Sequence, residues 1–374
     1  MRILQLGKFY PVLGGVEKVM FDFTSGLSEA GVECDMMCAT SDGRGSEVIE
    51  LNPHGRVVCC KTWLKKARTT IAPSMITKLR RMAEGYDIIH IHHPDPMAAM
   101  ALMLSGFRGK VVLHWHSDIL SQKTLLKFYL PIQNWLIKRA DAIVGTSPVY
   151  LAESPYLQKV QSKTRCIPIG IVPNRSDSAK VQSIRNEYAG RKIIFSLGRL
   201  VEYKGYRYLI EAAKYLDDSH IILIGGGGPL KDELQSQIDG LGVGNRVKLL
   251  GKVSDEDLPS YYGACDLFCL SSIMKTEAFG IVQIEAMSEG RPLIATKIPA
   301  SGVAWVNEDG VSGINVAPRD GRAIAEAILA ITKDPETWTR FSEGSRRRFA
   351  ENFTKEKMLA DCRRLYAELL GEQA

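Results

Sequence analysis

The chain has 374 residues, 45% hydrophobic and 24% charged, the composition of a globular protein of about two domains rather than a disordered or collagenous one. No apolar run approaches the roughly 20 residues of a membrane span, and no signal-peptide pattern precedes the first strand candidate, so a cytoplasmic protein is expected. The net charge of +6 lies wholly in the first 172 residues, which hold 21 Lys and Arg against 14 Asp and Glu, while the remainder holds 27 against 28.

Short apolar runs alternate with amphipathic helical patterns, the signature of βαβ units and a parallel sheet. The first strand candidate, 3–6, runs into Tyr10-Pro-Val-Leu-Gly-Gly-Val-Glu17 and then a helix. Gly14 and Gly15 let that loop approach a ligand closely, Gly14 being a candidate for the acceptor side. Strand candidates follow at 34–38 and 57–60. Residues 51–83 carry eight basic residues (Arg56, Lys61, Lys65, Lys66, Arg68, Lys78, Arg80 and Arg81) and no acid, interleaved with Trp63, Leu64, Ile71, Met75, Ile76 and Leu79. A second acid-free stretch, 119–140, mixes Lys123, Lys127, Lys138 and Arg139 with Leu125, Leu126, Phe128, Tyr129, Trp135 and Leu136. Such segments lie on anionic membrane surfaces or form solvated helix faces, and the pattern leaves both open. No recognised nucleic-acid motif accompanies the charge.

The next strands, 88–91 and 111–113, end in Ile91-His-His-Pro-Asp-Pro96 and Val112-Leu-His-Trp-His-Ser-Asp118. His93 and Asp95 are candidates for an acceptor side, and His116 for positioning or polarising a substrate, against the alternative of packed histidines. The histidines sit on two different loops, which argues against a metal. After a strand at 142–145, the segment Ile167-Pro-Ile-Gly-Ile-Val-Pro173 lacks periodicity and reads as a linker.

A second strand series then begins: 193–196, 220–224, 247–249, 267–270, 293–295 and 313–316. Its first strand opens into Ser196-Leu-Gly-Arg-Leu-Val-Glu-Tyr-Lys-Gly205. Two cations on one loop, Arg199 and Lys204, suit a diphosphate whose charge grows as it leaves. Leu223-Ile-Gly-Gly-Gly-Gly-Pro-Leu-Lys231 is a βα turn in which Gly227 is a candidate donor contact, although Leu230 breaks the dinucleotide fingerprint. Asp255-Glu-Asp257 imitates the acidic motif of metal-dependent sugar transferases, but Ser254 three residues before Asp257 makes it a helix start. Last comes Glu277-Ala-Phe-Gly-Ile-Val-Gln-Ile-Glu285. Phe279, Gly280 and Ile281 read as the turn into a helix whose N-terminal amides suit an anion or sugar hydroxyls. Glu277 precedes that terminus and Glu285 is expected about two turns inside it. Retaining glycosidases hold their carboxyls roughly 5–5.5 Å apart, whereas eight helical residues span about 12 Å, so two grips on a long ligand fit better. The tail, 338–370, is helical by pattern. Eight cysteines include adjacent Cys59 and Cys60 but no C-x-x-C, which predicts reduced, buried thiols and no zinc site.

Together these motifs resemble the retaining glycosyltransferase family 4, over nearly the whole length. The resemblance implies an α/β, GT-B-like architecture: two doubly wound Rossmann-like parallel-sheet domains facing each other across a cleft. The expected division is an acceptor-side domain at 1–170, a nucleotide-sugar domain at 171–352 and a C-terminal helix at 353–374 that can pack back on the first. It implies Arg199 and Lys204 as the diphosphate clamp and Glu285 as the ribose ligand. Glu277 with the Phe279, Gly280 and Ile281 backbone would hold the donor sugar. His116 would lie near the sugar's C6 hydroxyl and Gly15 beside the phosphate. No metal, no cofactor and no covalent nucleophile are implied. The implied reaction moves a hexose, with mannose one candidate, from a GDP- or UDP-sugar to a lipid-linked glycan. The lopsided charge supplies a possible membrane partner, and no nucleic acid is expected. Pro94-Asp95-Pro96 departs from the Pro-Asn-Pro of mannose-transferring relatives, and Val172 from the family's Gly-Ile-Asp. A sugar-nucleotide epimerase, a glycosidase and a non-catalytic sugar-nucleotide-binding module are the alternatives.

Overall fold

A computed structural model of the chain describes residues 1–12, 14–66, 69–119 and 123–372. Arg68 and the side chains of Lys65, Lys66, Lys123, Leu125 and Leu126, counted in the basic stretches, lie outside the described residues. The chain divides into two units, Met1–Ile169 with Lys355–Ala374, and Gly170–Thr354.

In chain order the first unit runs β1 (Arg2–Tyr10), α1 (Gly15–Glu29), β2 (Glu33–Thr40), β3 (Glu47–Asn52), β4 (Gly55–Cys60), β5 (Leu64–Lys66), β6 (Thr69–Ile71), α2 (Ser74–Met82), β7 (Ile88–His93), α3 (Pro96–Ser105), β8 (Lys110–Trp115), α4 (Lys123–Arg139), β9 (Ala142–Gly145), α5 (Pro148–Glu153) and β10 (Thr164–Cys166). Eight strands form one sheet in the order β10-β9-β8-β7-β1-β2-β4-β3. Ile3, Leu4 and Leu6 on β1 are all fully buried. Apart from Gln5, which is buried too, that run is apolar, as a parallel strand covered on both faces requires. The sequence expectation missed β3, which pairs antiparallel with β4. Its pattern of Glu47, Glu50 and Asn52 among partly exposed residues is that of an edge strand, too polar to read as core.

The second unit runs α6 (Ser178–Glu187), β11 (Lys192–Leu197), α7 (Tyr206–Ala212), β12 (His220–Gly225), α8 (Lys231–Gly240), β13 (Val247–Gly251), α9 (Leu258–Ala264), β14 (Leu267–Leu270), α10 (Ile281–Ser288), β15 (Leu293–Thr296), α11 (Val303–Val306), β16 (Gly313–Val316), α12 (Gly321–Thr332) and α13 (Pro335–Asn352). Its sheet is parallel throughout, ordered β13-β12-β11-β14-β15-β16. The last helix, α14 (Lys355–Leu370), belongs to the first unit, where it packs on α1 and sends Tyr366 to Gln5 of β1.

Both sheets reverse their winding once. In the first, β1 lies between β2 and β7; in the second, β11 lies between β12 and β14. Ligands of open α/β sheets bind beyond the carboxyl ends of the strands at such switch points. The segments leaving those ends begin at Pro11, Pro94, Gly198 and Ser271. All eight cysteines are free, and all but Cys166 are buried. No helix among the described residues is long and apolar enough to cross a membrane.

Candidate active site

In the second unit β11 delivers the chain to Gly198, and a short turn at 202–204 presents Lys204 before α7 begins. Gly205 ends that turn at φ 66°, and a Cβ there would collide with the Ser271 carbonyl, so the loop after β11 and the loop after β14 can approach only through a glycine. That approach places Lys204 Nζ 2.5 Å from Glu277 Oε2, with only 9% and 12% of the two side chains exposed. Ser272 Oγ donates to the same carboxylate oxygen at 3.0 Å, and Ser271 Oγ donates to the Lys204 carbonyl. A charge pair this far from water is stable only while both partners are present.

Beyond Glu277, α10 starts behind Gly280, whose φ is 78° and which offers no side-chain cap. The amides of Phe279, Gly280 and Ile281 donate to no other backbone group among the described residues. Free amides with the helix dipole behind them make an anion or hydroxyl site. Glu285 lies one turn inside α10, not two, because the helix begins only at Ile281. The 12 Å estimate assumed helix from Glu277 onward and does not apply. Tyr262 Oη donates to Glu285 Oε2 at 2.6 Å, and burial pushes the Glu285 carboxyl upward. Arg199 is exposed and forms no ion pair among the described residues. The loop after β12 lies against this one: Gly198 N donates to Gly225 O and Leu200 N to Gly227 O, both at 3.0 Å. A side chain at Gly227 would meet nothing within 4 Å. Asp257 is occupied locally, receiving Ser254 Oγ at 2.6 Å and Lys180 Nζ at 2.6 Å.

In the first unit α1 starts at Gly15, capped only by the extended backbone of Gly14. The ends of β7 and β8 carry a histidine array. Strand alternation sets His90, His92, His114 and His116 on the sheet face shared with Gln5, and His93 on the other. His92 Nδ1 lies 2.9 Å from His116 Nε2, and His92 Nε2 lies 2.8 Å from Gln5 Oε1. The rings are stacked, His114 on His116 at 4.0 Å and 6°, His92 on His116 at 5.2 Å and 16°. His92, His114 and His116 bring ring nitrogens within 4.8 Å of one another. A metal must lie in the plane of every imidazole that binds it, and His114, lying flat on His116 at 4.0 Å, shares no such point with it. Burial holds all of these imidazoles below their ordinary pKa, His114 at about 3.

Comparison with known proteins fits this geometry. The family described as "Glycosyl transferases group 1" matches residues 177–348, and that described as "Glycosyltransferase Family 4" matches residues 13–175. O-antigen chain mannosyltransferase C of Escherichia coli is 33% identical over 379 aligned residues, covering both chains completely. The chain belongs to glycosyltransferase family 4. D-rhamnosyltransferase WbpZ of Pseudomonas aeruginosa is 30% identical over 95% of this chain and 92% of its own. The solved structure of HepE from Anabaena in complex with UDP superposes with a TM-score of 0.77 at 21% identity, covering 98% of this chain and 100% of that one. The architecture is therefore GT-B, two Rossmann-like parallel-sheet domains, and the protein is a glycosyltransferase.

Among this glycosyltransferase's sequence candidates, Lys204 and Glu277 come into direct contact, with the Phe279–Ile281 amides adjoining in sequence. Two acceptor-side candidates are engaged within the fold. Asp95 is the N-cap of α3: Oδ1 accepts Ala98 N at 3.0 Å and Oδ2 accepts Lys8 N at 2.6 Å, so both oxygens are committed to the fold. His93 stacks on Trp115 at 3.9 Å and meets Tyr129, on the opposite face from His116. Four polar partners were missed: Ser272, Tyr262, Gln5 and His92. For His92 the signal was legible, because histidines at 90, 92, 114 and 116 follow the two-residue period of a strand face. Nothing in the local pattern marks Ser272, on the same loop as Glu277, or Tyr262, which arrives from α9.

Proposed function

We propose that this glycosyltransferase is a retaining, metal-independent hexosyltransferase that moves a hexose, mannose among the candidates, from a GDP- or UDP-sugar to a growing, lipid-linked cell-surface polysaccharide. The observation that carries the reading is the buried Lys204–Glu277 pair at the β11–β14 switch point, next in sequence to the free amides that open α10. The names of the two relatives, an O-antigen mannosyltransferase and a rhamnosyltransferase, support a hexose and a polysaccharide. The UDP bound by HepE supports a nucleotide-sugar donor.

In this reading Arg199 and Lys204 hold the donor diphosphate, with Gly15 beside it and Gly227 leaving room for the donor. Glu277 and the α10 amides bind sugar hydroxyls, Glu285 binds the ribose, and His116 hydrogen-bonds the sugar. An acceptor hydroxyl forms the new bond to C1 as the C1–oxygen bond to the diphosphate breaks. The bonding pair leaves with the diphosphate, which takes the acceptor's proton on the same face. The two cations supply the charge stabilisation that such a leaving group needs.

The membrane part of the proposal rests on Trp63, 73% exposed, and Phe128, 79% exposed, within the two basic stretches. Cosedimentation with liposomes at low salt should favour anionic over neutral vesicles; equal binding to both would remove it. For the chemistry, GDP, UDP and ADP are screened by thermal shift, since a ligand that binds only the folded state raises the melting temperature. The matching sugar nucleotide is then turned over in EDTA and the product linkage read by NMR. The expected result is one stabilising nucleotide and a product with the donor's anomeric configuration. An inverted linkage would contradict the retaining assignment, an epimerised donor or free sugar the transfer itself.

A further inference from the structure

A line of hydrogen bonds crosses the first unit from its last helix to His116. Tyr366 Oη of α14 lies 2.5 Å from His90 Nδ1, and Gln5 Nε2 donates to Tyr366 Oη at 3.1 Å. The Gln5 amide nitrogen also faces Cys34 Sγ at 3.9 Å, which leaves Oε1 as the atom presented to His92 Nε2. All of these residues are buried, so no water competes for the bonds.

The chemistry of each group fixes the direction of the line. An amide oxygen only accepts, so His92 Nε2 carries the proton. A neutral imidazole has one N–H, so His92 Nδ1 is then a lone pair. The 2.9 Å contact with His116 Nε2 needs a donor, and His116 must supply it. His116 Nδ1 is left as a lone pair with no partner among the described residues. Burial keeps both rings neutral, which removes the doubly protonated alternative. On the far side, Tyr366 accepts from Gln5 and donates to His90 Nδ1.

We propose that Gln5, His92 and Tyr366 are positioning residues that hold His116 in the tautomer protonated on Nε2, so that Nδ1 faces the substrate as a hydrogen-bond acceptor. The inference rests on the assignment of His116 to the donor sugar, and it deepens that assignment by stating which nitrogen acts. A ring nitrogen's protonation is set by the bond its partner nitrogen makes. Here that bond reaches back through two side chains to α14, a helix some 250 residues beyond His116 in sequence. His114, stacked between His90 and His116, has neither ring nitrogen hydrogen-bonded and does not compete for the relay proton.

The test is nitrogen NMR of the full chain labelled with 15N-histidine, His116 being assigned from a His116→Asn variant. Wild-type protein is expected to show His116 protonated on Nε2. In Gln5→Met and Tyr366→Phe that preference should weaken, most in Gln5→Met, with kcat falling about tenfold or more and KM for the sugar nucleotide little changed. Wild-type His116 protonated on Nδ1 would overturn the proposal without recourse to any variant. So would an unaltered His116 signal in folded Gln5→Met. If His116→Asn itself leaves turnover intact while the tautomer is as stated, the assignment of His116 to the sugar fails and the relay stands.

Discussion

Lys204 shows what the pairing of one residue does to a simple expectation. Taken from the loop sequence alone, Lys204→Ala should weaken catalysis with little effect on stability. In the fold its ammonium meets the Glu277 carboxylate with both side chains about nine-tenths covered. Removing it strands a buried charge, at a cost of about 3 kcal/mol or more. Lys204→Ala should therefore melt markedly lower than wild type. The double variant Lys204→Ala, Glu277→Gln should recover much of the loss, since neither charge remains. Equal melting of single and double variants would show that the pair is not coupled. Glu285 and Asp95 carry the same lesson. Both are acids flagged by their neighbours in sequence, yet one keeps an oxygen beyond the Tyr262 bond and the other has both oxygens inside the fold.

At the scale of elements, strand positions were legible because parallel strands covered on both faces are short unbroken apolar runs. Residues 142–145 and 267–270 are strands with those very bounds. The edge strand β3 was not, being half polar, and the start of α10 was misplaced because Gly280 in the left-handed region delays the first helical residue to Ile281. The site followed the same division. Loops that carry glycines and cations were readable; the side chains that reach them from α9, α14 or β1 were not, since only folding makes them neighbours. The contact between α1 and α14 is a similar case. A Cβ at Gly26 would meet the Leu359 side chain and sit 3.0 Å from Lys355 Cε. Gly26→Val should push α14 away and destabilise the protein by about 1–3 kcal/mol, the usual cost of overpacking. Urea melts would check it, and an unchanged midpoint would mean that α14 does not depend on that approach.

For the molecule as a whole, five buried histidines in one unit make acid the natural denaturant. His90, His92, His93, His114 and His116 are all held below their ordinary pKa by burial. The unfolded chain binds protons on them near pH 6.5 and the folded chain does not. Their contribution to stability is thus complete above that pH and is lost progressively as the pH falls toward their folded values, about 3 for His114. Each such group adds a slope of about 1.4 kcal/mol per pH unit across its window. Melts from pH 8 to pH 4 should show the first unit, followed by its buried Trp115, losing stability steeply below about pH 6.5. A flat profile would contradict the neutral, buried array on which the His116 relay depends.

The donor site is tested most directly at Arg199, because it is exposed and free of ion pairs among the described residues. Its substitution should not disturb the fold, whereas Lys204 cannot be changed so cleanly. Calorimetric titration of GDP and of UDP into wild-type protein and Arg199→Ala gives the Kd that decides the matter. The account predicts an unchanged melting temperature with nucleoside diphosphate binding weakened about tenfold, the loss of one charge-assisted contact. Equal Kd values for the two proteins would contradict a diphosphate held on the loop after β11.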